Sequence, residues 1–156
     1  MPLSAQVSLF AQVSAVAEVP MVAKRSARAG SVAPDSAFAL LDQAEHGLAA
    51  AAAQPGAAQR FADAYLCALR AAAALLATRG RPHRGRAKPT SVWTLLASVA
   101  PEMREWAAFF ASCSATRAAV QAGITSRVGP RAADDLVRQS AQFISLVHRA
   151  VHGVRR

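Results

Sequence analysis

The chain has 156 residues, the size of one domain, and 53% of them are hydrophobic with only 6% aromatic. Much of that hydrophobic share is alanine, which buries little area and favours helix, so the composition predicts a helical, thinly packed fold whose few large side chains mark the core. A formal net charge of +9 suits a polyanionic partner; the absence of CxxC, GxxxxGK[ST] and GxGxxG patterns leaves a zinc site, NTP hydrolysis and dinucleotide binding without support.

Residues 2–20, "PLSAQVSLFAQVSAVAEVP", carry an apolar side chain at every odd position from Leu3 to Val19. That is a strand period, but the run is far longer than an ordinary strand and no later segment offers it a partner. Lys24, Arg25 and Arg28 follow the apolar part, the reverse of a secretory signal. Residues 1–34 are therefore read as a poorly ordered extension ahead of a bundle domain at 35–153, with Met21 as a second candidate start.

Helical punctuation begins at Pro34, where Asp35 or Ser36 is positioned to cap a helix. Phe38, Leu41, Ala44, Leu48 and Ala51 then recur at spacings of three and four, until Gln54-Pro55-Gly56 stops the run. A second helix over about 57–78 has the stripe Phe61, Tyr65, Leu69, Ala72 and Leu76. Thr90 or Ser91 is placed to cap a short third helix, "VWTLLASV". Pro101, with Glu102 and Glu105 behind it, opens a fourth segment over about 101–121 that carries Trp106, Phe109, Phe110, Cys113 and Val120. A last helix follows Pro130, with Leu136, Val137, Phe143, Ile144, Val147 and Val151 on its inner face. Four long amphipathic helices and one short piece predict an all-α up-and-down bundle. Cys67 and Cys113 sit in helical stretches and read as small buried hydrophobes. No apolar run approaches the roughly 18–20 residues of a membrane span, so no membrane partner is expected.

Between the second and third helices lies "TRGRPHRGRAKPTS", residues 78–91. Arg79, Arg81, His83, Arg84, Arg86 and Lys88 stand there with no acidic residue among them. From Asp35 onward the chain has fifteen Lys and Arg against eight Asp and Glu, and removing the five cations of 79–88 leaves an excess of only +2. Sixteen arginines against two lysines also fit the codon bias of a GC-rich genome, so localisation, and not total charge, is the signal. Glycine and proline keep such a segment out of regular structure, and guanidinium forks in it can reach phosphates.

The stretch "FADAYLCALRAAAALLATRGRPHRGRAKPTSVWTLLASVAPEMREWAAFFA", with the later "ADDLVRQSAQFISLV", resembles a HEPN domain (higher eukaryotes and prokaryotes nucleotide-binding), and more closely a small actinobacterial branch of that group. The resemblance covers about 36–152. It implies an antiparallel, HEPN-like four-helix bundle with an extra short helix, often dimeric. Many members of the wider group are metal-independent ribonucleases, and others are non-catalytic RNA-binding or partner-binding domains, some beside nucleotidyltransferases. The nucleolytic members share an Arg followed after four to six residues by a His. None of His46, His83, His148 and His152 has an Arg at that distance before it; Arg138 and His148 have nine residues between them.

Arg138, His148, Arg149 and His152 lie within the last helix and are the candidate degenerate nuclease cluster, since RNA cleavage by side chains needs a base, an acid and a cation near the phosphate. The bland alternative is a solvated helix end, where cations suit the dipole. His148 and His152 have the spacing of two metal ligands, but two ligands make no site. The expectation is a cytoplasmic homodimer without cofactor or metal, binding RNA in preference to DNA through Arg79, Arg81, His83, Arg84, Arg86 and Lys88. The alternatives are a protein-interaction helper of a nucleotidyltransferase or repair enzyme, and a divergent ribonuclease.

Overall fold

The computed structural model describes the backbone of residues 29–80 and 91–153, and side chains from Asp35 onward within them. These form α1 (Ala29–Ala52), α2 (Ala57–Arg79), the short α3 (Val92–Val99), a single 3-10 turn at Pro101–Met103 that runs into α4 (Arg104–Gln121), and α5 (Pro130–Gly153). No strand occurs among the described residues. The element boundaries follow the punctuation of the sequence with one exception. α1 starts at Ala29, six residues ahead of the cap expected at Asp35, and Pro34 lies inside its second turn. A proline there forgoes one backbone bond close to a helix start, where bonding is incomplete anyway.

Contacts fix the helix directions. Gly47 of α1 lies against Cys67 of α2, with a Cβ at Gly47 falling 2.9 Å from the Cys67 sulfur. Arg60 near the start of α2 bonds Asp134 near the start of α5 at 3.0 Å, and Ser140 donates to the Ala64 carbonyl at 3.2 Å. So α2 and α5 run in parallel. Glu45 meets His148 and Phe38 meets His152, which sets α1 antiparallel to α5. Glu102 meets Arg79 while the Arg117 guanidinium sits over the Tyr65 ring, so α4 runs against α2. One end of the bundle therefore gathers the start of α1, the exit of α2, the entry to α4 and the end of α5.

α2 is the centre. Thirteen of its residues are buried, including Phe61, Tyr65, Leu69 and Leu76. A helix apolar nearly all round must be enclosed by others. The expectation that no segment is apolar and long enough to cross a membrane is corrected here. By length and composition Ala57–Arg79 qualifies, with a mean hydropathy of 1.4 in its best window, and 72% of that window is buried inside the bundle. Asp63 and Arg70 break the helix into shorter apolar runs, which is why it does not stand out in the sequence.

An aromatic knot joins α3, α4 and α5 to α2. The Trp93 ring stacks on Phe110 at 5.0 Å and meets Tyr65 and Phe143 edge-on at 6.0 and 6.1 Å. The buried Trp93 indole N–H donates to the Tyr65 hydroxyl at 2.8 Å. Tyr65→Phe keeps the ring and orphans that donor. It is expected to cost about 1–3 kcal/mol in urea denaturation.

Both cysteines are free, Cys67 buried and Cys113 half-buried. Burial pushes the Cys67 thiol up from its ordinary value near 9 to about 11, over the opposing pull of Arg70. The unfolded chain therefore releases this proton first as the medium turns alkaline. Cys67 contributes stability that is fully present below pH 9 and is lost between about pH 9 and 11. Denaturation midpoints that fall over this window in wild type, and less in Cys67→Ala, are the expected result.

Candidate functional site

The basic segment is anchored at both ends. Gly80, at φ 80°, terminates α2 with its N–H on the Leu76 carbonyl at 2.9 Å, a left-handed conformation that favours glycine. At the other end the Ser91 hydroxyl accepts the Thr94 N–H at 3.1 Å and caps α3. Trp93, two residues on, is locked into the aromatic knot. The two anchors lie at different heights. Arg79 stands at the end of the bundle beside Glu102, while Trp93 reaches Tyr65, fourteen positions and about 21 Å back along α2. Ten residues of chain span at most about 33–36 Å, more than that axial separation.

Of the six residues expected to bind, only Arg79 is among the described ones. Its guanidinium bonds the Glu102 carboxylate at 2.6 Å and, by that bond first, holds the Glu102 carboxyl below its usual range. Arg79 thus serves the join between α2 and α4 and is not a spare cation. Arg81, His83, Arg84, Arg86 and Lys88 lie outside the described residues.

The second candidate group, on α5, separates. Arg138 pairs with Asp135 one turn before it. Along the helix axis it lies about 15 Å from His148. Further along, the His148 Nδ1 contacts the Glu45 carboxylate at 2.9 Å, and the His148 and His152 rings lie 4.1 Å apart. His152 also packs on Phe38 at 5.0 Å. Arg149 donates to the Ser145 hydroxyl at 3.3 Å. Beside these residues is an open cleft of about 330 Å³ lined by Glu45, Leu48, Ala141, Ile144, Ser145 and His148. An imidazole held by a carboxylate can pass a proton, but the cation a phosphate ester would need is not delivered by Arg138. Among the described residues no group of three His, Cys, Asp or Glu could hold a metal ion.

Two participants escaped the sequence. Glu45 stands 103 positions from His148, and no local pattern links them. Arg117 is 2% exposed, with its guanidinium 5.6 Å from the Tyr65 ring, and burial lowers its pKa. Its signal was available: it is the single charged residue between Glu105 and Arg127, on a helix otherwise apolar or small.

A family model described as SAV_6107-like HEPN matches residues 49–148. No curated protein and no solved structure matches the chain.

Proposed function

The chain belongs to the SAV_6107-like HEPN family, within the HEPN nucleotide-binding superfamily, and from that membership we propose that it binds RNA, or another nucleic acid, without cleaving it, through the basic segment between α2 and α3. The carrying observation is the charge of that segment. Residues 81–90 hold Arg81, Arg84, Arg86 and Lys88 with no acidic residue, in a family named for nucleotide binding. Gly80 and Ser91, which flank the segment, are each held by a helix-end hydrogen bond. Arg79 is left out of the proposed contact set, since Glu102 already holds it.

The catalytic alternative is weaker on chemical grounds. His148 and Glu45 form a proton-passing pair, but no Arg stands at the family's distance before any His, and Arg138 is spent on Asp135. A protein-interaction reading has one observation behind it. From Trp106 to Ser126 no charged residue is exposed, while Phe109 and Ile124 are 38% and 47% exposed. The Ser112 and Ser114 hydroxyls on the same helix donate to their own backbone, at 2.6 and 2.7 Å. Such a face suits a partner protein or a second copy of the chain.

The test is a gel shift with labelled single-stranded RNA of mixed sequence. A retarded band containing full-length RNA is expected from the wild type and not from R81E/R84E/R86E. Shortened RNA that regains its length with His148→Ala would instead support the nuclease alternative.

A further inference from the structure

Independently of the nucleic-acid reading, we infer that the uncharged face of α4 docks a second copy of this chain, α4 against α4 and antiparallel, about a two-fold axis that passes near residue 116.

The first ground is what the face exposes. Among the described residues only two large apolar side chains are exposed, Phe109 in the second turn of α4 and Ile124 just past its end. Ile124 is held against the helix end by its N–H bond to the Ala119 carbonyl at 2.9 Å. Ala108, Ser112 and Ala115, spaced four and three apart, run along one side of the helix and are exposed too. The packed side is the opposite one, with Ala107, Phe110 and Arg117. The Ser112 hydroxyl is spent on the Phe109 carbonyl, so it asks nothing of a partner. Side chains this short allow two helix axes to approach within about 8–10 Å.

The second ground is charge. The chain carries +9, so two copies can meet only where little of that charge stands. The exposed charges nearest the face on either side include one of each sign, Glu105 in the first turn and Arg127 past the end. The only charge between them is the buried Arg117. Neither Glu105 nor Arg127 has an ion pair among the described residues. Arg104 also stands at the first end, about 100° round the helix from Glu105.

The third ground is symmetry. Glu105 and Arg127 each lie eleven positions from residue 116, and Phe109 and Ile124 lie seven and eight. An antiparallel two-fold pairing therefore brings Glu105 of one copy to the Arg127 end of the other, and Phe109 to the Ile124 end. Each contact forms twice. A parallel pairing would set Glu105 against Glu105 and Arg127 against Arg127. A patch that answers itself under a two-fold axis fits an isologous dimer. A different protein would have to supply the same charges and apolar side chains in the same order.

The experiment is sedimentation equilibrium of the full chain over a dilution series. The expected mass rises from one chain to two and no further. Ala115 lies one residue from the axis, so Ala115→Arg brings two guanidiniums together in the dimer. The residue is exposed in the monomer and arginine is a good helix former, so melting stays unchanged while the dissociation constant rises about a hundredfold. Glu105→Arg and Arg127→Glu each weaken the dimer about tenfold, and E105R/R127E returns it to within about threefold of wild type, a recovery that a folding defect cannot give. A chain that stays monomeric at the highest concentration overturns the pairing and leaves the face to a different protein. A dimer that Ala115→Arg does not weaken lies on another face and overturns it too. A double variant no tighter than the single ones overturns the antiparallel register. None of these results bears on the RNA reading, which R81E/R84E/R86E tests separately.

Discussion

Replacing Phe143 by alanine lowers the stability of the fold by about 3–5 kcal/mol in urea denaturation, the largest loss expected from any single substitution here. Phe143 is fully buried, and its ring lies 5.1 Å from Phe110, 5.7 Å from Trp106 and 6.1 Å from Trp93. Through these rings α5 meets both α3 and α4. The cavity that Phe143 leaves closes poorly, because many of the buried neighbours along α2 are alanines with no rotamer to swing into the gap. Against a total of roughly 5–15 kcal/mol for a domain, this loss takes the protein near the edge of folding. Phe109→Ala is the control one position from Phe110. Its ring is 38% exposed and touches Phe110 edge-on, so its loss is expected to stay within about 1 kcal/mol.

The largest functional effect is expected from R81E/R84E/R86E. At about 0.1 M salt, counterion release makes each phosphate contact worth about 1 kcal/mol, so three lost contacts weaken RNA binding on the order of a hundredfold. Repulsion from the three new carboxylates adds to that figure. The substitutions lie between Gly80 and Ser91 in the sequence, and melting is expected to be unchanged. Including Arg79 would spoil the measurement. Its bond to Glu102 ties α2 to the entry of α4, so Arg79→Glu would lower affinity and stability at once.

The helical punctuation made most of the fold legible. Gln54-Pro55-Gly56, Ser91, Pro101 and Pro130 each mark an element boundary within a residue or two of its place. The exception, Pro34, shows the limit of that signal: proline excludes the middle of a helix more firmly than its first turns. The stripes were legible because a long helix buries a fixed face. Phe61, Tyr65, Leu69, Ala72 and Leu76 are all buried as expected. The fourth segment reads as carrying Trp106, Phe109 and Phe110 with no face assigned; Phe110 is buried, Trp106 stacks on it, and Phe109 is 38% exposed.

The sites were legible by composition and illegible by geometry. A run of arginines between two helices announces itself, and so does a His pair four residues apart. That Arg79 would be claimed by Glu102, or His148 by Glu45, depends on which helix ends meet, which follows from the packing of α1 and α4 and from nothing local.

The central claim is that the basic segment between α2 and α3, in a chain whose described helices are near neutral, holds phosphates. Fluorescence anisotropy of labelled single-stranded RNA with the wild-type chain, titrated at KCl concentrations from about 50 to 200 mM, measures it most directly. The account predicts affinity falling by about fiftyfold or more over that range, on a straight line of log K against log [KCl]. An affinity that stays level as salt rises, or no binding at the lowest salt, would contradict it.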